Sequence, residues 1–262
     1  MADSPSPQHD TAYPTATTVA EFERNLAAVQ AKIAAAAQSV HRDPAEVTLL
    51  PVSKTVPEER IRTAHAAGMT RLGENKVQEA ARKAENLEEL GIDWVVIGHL
   101  QRNKAKDVAR FASEFQALDS VRVAAALDRH LQALGRGLDV LVQVNTSREP
   151  QKYGLPPEEV AAFLRELPSF SALRVRGLMT LAEFSSDRER VRECFVTLRT
   201  LRDQLREDLP SGIALDELSM GMSGDYELAV TEGATIVRVG QAIFGARSTP
   251  DSFYWPDSAQ NQ

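Results

Sequence analysis

Apolar and polar positions along this chain follow two periods. Short apolar runs at residues 47–54, 71–74, 94–98, 115–118, 138–145, 173–179, 215–219 and 236–240 read as strands. Stretches with apolar residues at helical spacing separate most of them, at residues 57–67, 76–90, 104–111, 121–134 and 157–167. An Ala-rich helix precedes the first strand. It runs to about Val40 with Phe22, Leu26, Val29 and Ile33 on one face, and Thr18 or a neighbour caps it. Eight strands alternating with helices over about 200 residues point to a single (β/α)8 barrel of the TIM type. A doubly wound open sheet is the second reading. Residues 1–17 are rich in Pro, Ser and Thr and read as a disordered tail, 18–247 as the barrel, and 248–262 as a loose tail. Within that last tail Phe253, Tyr254 and Trp255 are the candidates for docking.

Composition narrows the function classes. A chain of 262 residues that is 43% hydrophobic builds one large core. A formal net charge of -7 argues against nucleic acid or anionic membrane as partners. The opening residues lack the pattern of a signal peptide, and no apolar stretch approaches the roughly 20 residues of a membrane span. With a single cysteine, Cys194, these features point to the cytoplasm. Cys194 shares a helical face with Val191, Phe195, Leu198 and Leu201 and reads as inert core, and the charged run 187–192 as a solvated helix face. The chain has no G-x-G-x-x-G after its first strand, no Walker loop, no G-x-S-x-G elbow, no metal-ligand spacing and no internal repeat.

In a barrel of this type functional side chains gather at the carboxyl ends of the strands. The residues there are Lys54, Glu74, Asn75, His99, Asn145, Met179, Ser219 and Gly240. Lys54 ends an apolar run. It is either a lysine snorkelling to water or an amine in a partly dry pocket, where it loses its proton readily and attacks carbonyls. The small-residue turn 219–225, with Ser219 and Ser223, and the turn at Gly240–Gln241 follow the last two strands. Each is either an ordinary capped turn or part of an anion cradle. Arg238 lies inside an apolar strand and needs a partner, either a core carboxylate or a bound ring. Asn75 and His99 either line a ligand or cap helices. Gln143 and Asn145 share a strand face pointing toward the barrel mouth, and Lys152 reads as a solvated loop lysine. A nucleophilic amine opposite a phosphate cradle describes a pocket for a phosphorylated aldehyde, pyridoxal phosphate being the obvious candidate.

Six motifs occur in order: Pro51-Val52-Ser53-Lys54-Thr55, Gly73-Glu74-Asn75, the run 97–104 (Ile-Gly-His-Leu-Gln-x-Asn-Lys), Gly177-Leu178-Met179, the run 218–223 (Leu-Ser-Met-Gly-Met-Ser), and the run 237–245. Together, over about residues 20–247, they resemble the pyridoxal phosphate homeostasis protein family, small relatives of the alanine racemase amino-terminal barrel. The resemblance implies a fold type III barrel for pyridoxal 5'-phosphate without the racemase's second β domain. It implies that Lys54 is the Schiff-base lysine, that Ser219, Ser223, Gly240 and Gln241 hold the phosphate, that Asn75 lies near the ring, that Arg238 meets the ring nitrogen, and that Met179 belongs to the same cofactor-binding set. Gln241 departs from the Thr or Ser usual in the family, and Val95-Val96 replace an aromatic or His pair.

The resulting expectation is a monomeric protein that buffers or delivers pyridoxal phosphate, with apo enzymes that use this cofactor as recipients and without nucleic acid or membrane partners. Lys152 is a candidate for assisting release. A racemase-like enzyme is the alternative, although the tyrosine base of the racemase sits on the domain this chain lacks. A barrel using Lys54 for aldolase-like chemistry is the third reading.

Overall fold

The computed structural model describes residues 13–246. Eight strands are present: β1 (Thr48–Pro51), β2 (Arg71–Glu74), β3 (Asp93–Val96), β4 (Ala112–Leu118), β5 (Leu138–Gln143), β6 (Leu173–Met179), β7 (Glu217–Ser219) and β8 (Ile236–Val239). The helices among the described residues are α1 (Val19–Ser39), α2 (Glu58–Ala66), α3 (Val77–Asn86), α4 (Ala105–Phe111), α5 (Val121–Ala133), α6 (Val160–Glu166), α7 (Arg188–Leu205), α8 (Tyr226–Thr231) and α9 (Gln241–Phe244).

All pairings are parallel, in the order β1-β8-β7-β6-β5-β4-β3-β2. The two ends meet through one bridge, Val52 opposite Gly73, with the Ser53 N–H donating to the Gly73 carbonyl at 2.9 Å. That bridge and the β1–β8 ladder make a nearly closed single barrel rather than an open sheet. Among the described residues no second sheet follows it.

Local chemistry sets the boundaries. Thr18 caps α1 in a capping box: its hydroxyl accepts from the Glu21 N–H at 3.3 Å, and the Glu21 carboxylate accepts from the Thr18 N–H at 3.0 Å. With the Thr17 N–H added, these bonds hold the Glu21 carboxyl down at about 2. Helix α3 ends earlier than periodicity predicts, because the chain turns through a short 3-10 segment into Gly91 at φ 61°. The first strand stops at Pro51, not at Lys54; residues 54 and 55 form a turn.

The N-terminal tail expected over residues 1–17 has a docked portion. Ala16 is buried, its N–H donates to the Phe244 carbonyl at 3.4 Å, and its own carbonyl accepts from Arg60 Nε at 2.8 Å. The Ala246 N–H donates to the Tyr13 carbonyl at 2.9 Å. Small apolar Ala16 and free backbone groups next to residues 244–246 account for this seat. Residues 1–12 and 247–262, including Phe253, Tyr254 and Trp255, lie outside the described residues.

Cys194 is buried on α7 with Val191, Phe195 and Leu198, as the periodicity predicts. Among the described residues no helix is long and apolar enough to cross a membrane, and no group of His, Cys, Asp or Glu could hold a metal ion.

Strand β6 needs a glycine at one point. A Cβ at Gly177 would stand 2.0 Å from the Glu217 carbonyl oxygen on β7, so the ladder would have to part. Gly177→Ala should therefore lose about 1–3 kcal/mol of stability in urea unfolding; an unchanged midpoint would show that the two strands separate without cost.

Candidate functional site

The carboxyl ends of β1 and β8 lie side by side, since Pro51 pairs with Val239 and the Val52 N–H donates to the Val239 carbonyl at 2.9 Å. Lys54, half-buried, emerges from the turn after β1. Gly240 and buried Gln241 follow β8. Lys54, Gly240 and Gln241 line one cavity of about 430 Å³, together with Val52, Thr55 and Arg60. Ser223 joins this group, its hydroxyl accepting from the Gly240 N–H at 3.2 Å. The structure thus gathers four of the expected site residues, drawn from both ends of the chain.

Arg238 is 2% exposed. Its protein partners are a hydroxyl and a carbonyl: Nη1 donates to Ser219 Oγ at 2.6 Å and Nη2 to the Thr180 carbonyl at 2.7 Å. Among the described residues no carboxylate comes within ion-pair distance of it. Burial depresses the guanidinium to about 10, against the partial support of the Asp225 charge. Asp225 is itself pushed up by burial, while its bond from the Met222 N–H and the charge of Arg238 oppose that rise. That carboxylate folds back the loop between β7 and α8.

Ser219 is fully buried, and its hydroxyl donates to Gln116 Oε1 at 2.6 Å while accepting from Arg238. The hydroxyl is committed to fixing the guanidinium and is not displayed at the Gly240 turn. Met179 is also fully buried at the end of β6, where its carbonyl accepts from the Val144 N–H at 2.8 Å. Asn75 is half-buried just past β2, and its carbonyl sits so near Gly98 that a Cβ there would stand 2.0 Å away.

A second group of residues fastens the loop after β5. Gln143 donates to the Tyr153 carbonyl at 3.1 Å and Asn145 to the Glu149 carbonyl at 2.9 Å. These strand-end amides hold backbone. His99 stacks on Tyr153 with ring centroids 3.8 Å apart, and its Nδ1 lies 3.6 Å from Asp119 Oδ2. Burial pushes the Asp119 carboxyl up, against the pull of His99. Lys152 overturns its expectation as a solvated lysine. Its side chain is 8% exposed, pairs with Glu149, and donates to the Ala182 carbonyl at 3.1 Å. The cause is the loop's curl, which returns Lys152 over the chain following β6. The larger cavity of about 530 Å³, beside α7, holds none of the expected residues, and its Arg190 and Arg192 pair with Glu183 and Glu232.

Behind Lys54 lies a set of buried ions of which periodicity marks Glu74 but not its partner Lys83. Lys83 and Glu74 are both fully buried. Lys83 Nζ donates to Glu74 Oε1 at 2.8 Å, to Glu79 Oε1 at 2.6 Å and to the Ser53 carbonyl at 3.0 Å. A signal existed: Lys83 interrupts the buried stripe Val77–Ala80–Leu87 of α3 and its continuation.

Fold and site together define a parallel barrel of the alanine racemase amino-terminal class: the family described as Alanine racemase, N-terminal domain, matches residues 24–248. Within that class the chain belongs to the pyridoxal phosphate homeostasis protein family. It is 42% identical over 231 residues to the protein of that name from Pseudomonas aeruginosa, covering 88% of this chain and 96% of the other. It is 40% identical over 233 residues to that from Escherichia coli K12, covering 87% and 97%. The solved structure of PipY from Synechococcus elongatus PCC7942 with PLP bound aligns at TM-score 0.76 and 36% identity, over 86% of this chain and 100% of PipY. Alanine racemase from Clostridium difficile 630 aligns at TM-score 0.66 and 15% identity, a likeness of fold alone, and 59% of that chain is covered.

Removing the Ser219 hydroxyl leaves Gln116 Oε1 and Arg238 Nη1 each short of a buried partner. Ser219→Ala should cost the ligand-free protein about 1–3 kcal/mol, read as a lower melting temperature in calorimetry; an undiminished melting temperature would mean that neither group depends on it.

Proposed function

We propose that this protein binds pyridoxal 5'-phosphate covalently and reversibly through the Lys54 amine, and that it buffers or delivers the cofactor in the cytoplasm rather than turning over a substrate. The observation that carries this reading is the shared cavity of Lys54 with the Gly240–Gln241 turn. The donor set fits the cofactor. Lys54 supplies the amine. Ser223, whose oxygen accepts from the Gly240 N–H and whose hydroxyl hydrogen can still be donated, and the backbone of the turn opening at Gln241 supply hydroxyl and N–H groups suited to a phosphate. Arg238, two residues before that turn, is a buried cation whose protein partners are a hydroxyl and a carbonyl. An electron-rich ring nitrogen would complete its surroundings. Asn75 is the residue assigned beside the ring; Ser219 acts from behind through Arg238, and buried Met179 is assigned to the same cofactor-binding set.

When bound, pyridoxal phosphate supplies a carbonyl carbon that condenses reversibly with amines and a ring that withdraws electrons. The residues of this chain moderate both. Guanidinium donates and never accepts a hydrogen bond, so Arg238 holds the ring nitrogen without protonating it, which weakens the withdrawal. Among the described residues no tyrosine lines the Lys54 cavity in the place of a racemase's second base. Both features favour retention and exchange of the cofactor. The relatives' names and the PLP-bound neighbour support the same reading. Gln241, where a hydroxyl is usual, leaves phosphate binding to backbone N–H and Ser223.

Loaded protein mixed with an apo enzyme that needs pyridoxal phosphate should restore its activity, and Lys54→Ala treated in the same way should not. In heavy water the loaded protein should leave the α-protons of common amino acids in place. Deuterium incorporation at rates of a working enzyme would replace the carrier reading with a racemase-like one.

A further inference from the structure

The turn that presents Lys54 is built in an unusual way. Thr55, next to it, has φ 66°, a left-handed conformation that a β-branched residue rarely adopts. Its N–H donates to Glu79 Oε1 at 2.9 Å. On the other side of Lys54, Ser53 is fixed at three points. Its N–H donates to the Gly73 carbonyl at 2.9 Å, its hydroxyl donates to Glu74 Oε1 at 2.6 Å, and its carbonyl accepts from Lys83 Nζ at 3.0 Å. Lys83 therefore sits at a hub. Its three ammonium donors meet three acceptors, two of them carboxylates and the third the backbone of the residue before Lys54.

A fully buried lysine and glutamate are a costly way to join a helix to a barrel. An apolar pair of the same volume would hold as well or better. What ions add here is direction. Glu79 takes the Thr55 amide and Lys83 takes the Ser53 carbonyl, so both peptide groups flanking Lys54 are tied to side chains of one helix. The exposed face of the turn stays open to the cavity shared with Gly240 and Gln241. The left-handed Thr55 is the conformation such a clamp would have to impose.

We propose that Lys83, Glu74 and Glu79 are positioning residues for Lys54, an ionic clamp behind the turn that aims its amine at the cofactor and sets how tightly the cofactor is held. This deepens the proposed function and rests on it in one respect, that Lys54 is the amine that binds. None of the three side chains is assigned a contact with the cofactor. They act through the backbone of residues 53 and 55.

Two readouts test the clamp, and one needs no cofactor. The first is amide hydrogen exchange of Thr55 in the cofactor-free protein. The second is the dissociation constant for pyridoxal phosphate, from visible absorbance. Glu79→Ala and Lys83→Met should speed Thr55 exchange and weaken binding about tenfold or more, as expected when a reacting group is misplaced. Glu79→Gln keeps an acceptor for the Thr55 N–H and should stay near wild type in exchange. Leu131→Ala, a cavity in the buried face of α5 away from the cofactor cavity, should lose stability without weakening binding. If Lys83→Met fails to fold, Glu79→Ala carries the test, its side chain being 21% exposed in wild type. Folded Glu79→Ala protein with exchange and affinity within about twofold of wild type would overturn the proposal. So would an affinity loss that Leu131→Ala reproduces. Should wild type form no covalent adduct at Lys54, the proposed function fails, while the exchange experiment still decides whether the clamp exists.

Discussion

A guanidinium placed in the middle of a protein barrel has to be satisfied, and the interior of this barrel is organised around Arg238. Burying a charge costs several kcal/mol unless hydrogen bonds replace water. Here the replacements come from across the lumen. Arg238 on β8 bonds Ser219 on β7 and the carbonyl of Thr180 past β6; Ser219 bonds Gln116 on β4; Gln116 bonds Glu114, which pairs with Arg71 on β2. Since β4 and β7 are not neighbours, the Gln116–Ser219 bond spans the interior. The chain continues through Thr180, whose hydroxyl bonds the Val144 carbonyl at 2.8 Å and the Thr146 hydroxyl at 2.9 Å. One hydrogen-bonded path thus links strands from opposite sides of the barrel and fixes the strand whose end forms the Gly240 turn. Closure between β1 and β2 depends on a second buried set of ions, around Lys83. The two sets hold the two strands that meet at the cavity.

The strand order and the gathering of Lys54 with Gly240 were legible because both follow from periodicity and from the rule that barrel sites lie at strand carboxyl ends. Side-chain direction was less legible. Ser219 reads equally well as an anion ligand or as a core hydroxyl; only the strand pairing, which turns it toward Gln116 and Arg238, decides. Lys83 and Lys152 were hidden for a related reason. A lysine on a helix or loop is assumed to reach water, and burial depends on acceptors distant in sequence, Ser53 and Glu74 for one and Ala182 for the other. Composition likewise marks residues 13–17 as loose, yet their seat is made by backbone groups of residues 244–246, some 230 positions away in sequence, which no local pattern carries.

The physical logic of a carrier differs from that of an enzyme on the same fold. An enzyme that moves an α-proton between faces needs two placed bases and strong electron withdrawal. Among the described residues the cavity holds one amine, that of Lys54, with the donor-only cation of Arg238 two residues before its Gly240 turn. On the proposed function this makes a rigid seat for a reversible bond. Its rigidity is evident in the left-handed Thr55, in the committed hydroxyl of Ser219 and in the loop between β7 and α8 that Asp225 holds. Retention and exchange then depend on how the amine is aimed and how the phosphate is gripped, the two properties the surrounding bonds control.

The decisive measurement is borohydride reduction of protein loaded with pyridoxal phosphate, followed by mass mapping of the modified lysine. A pyridoxyl group on Lys54, with Lys83 and Lys152 unmodified, is the predicted result. An adduct confined to another lysine, or none after saturation with the cofactor, would contradict the assignment of Lys54 as the anchoring amine.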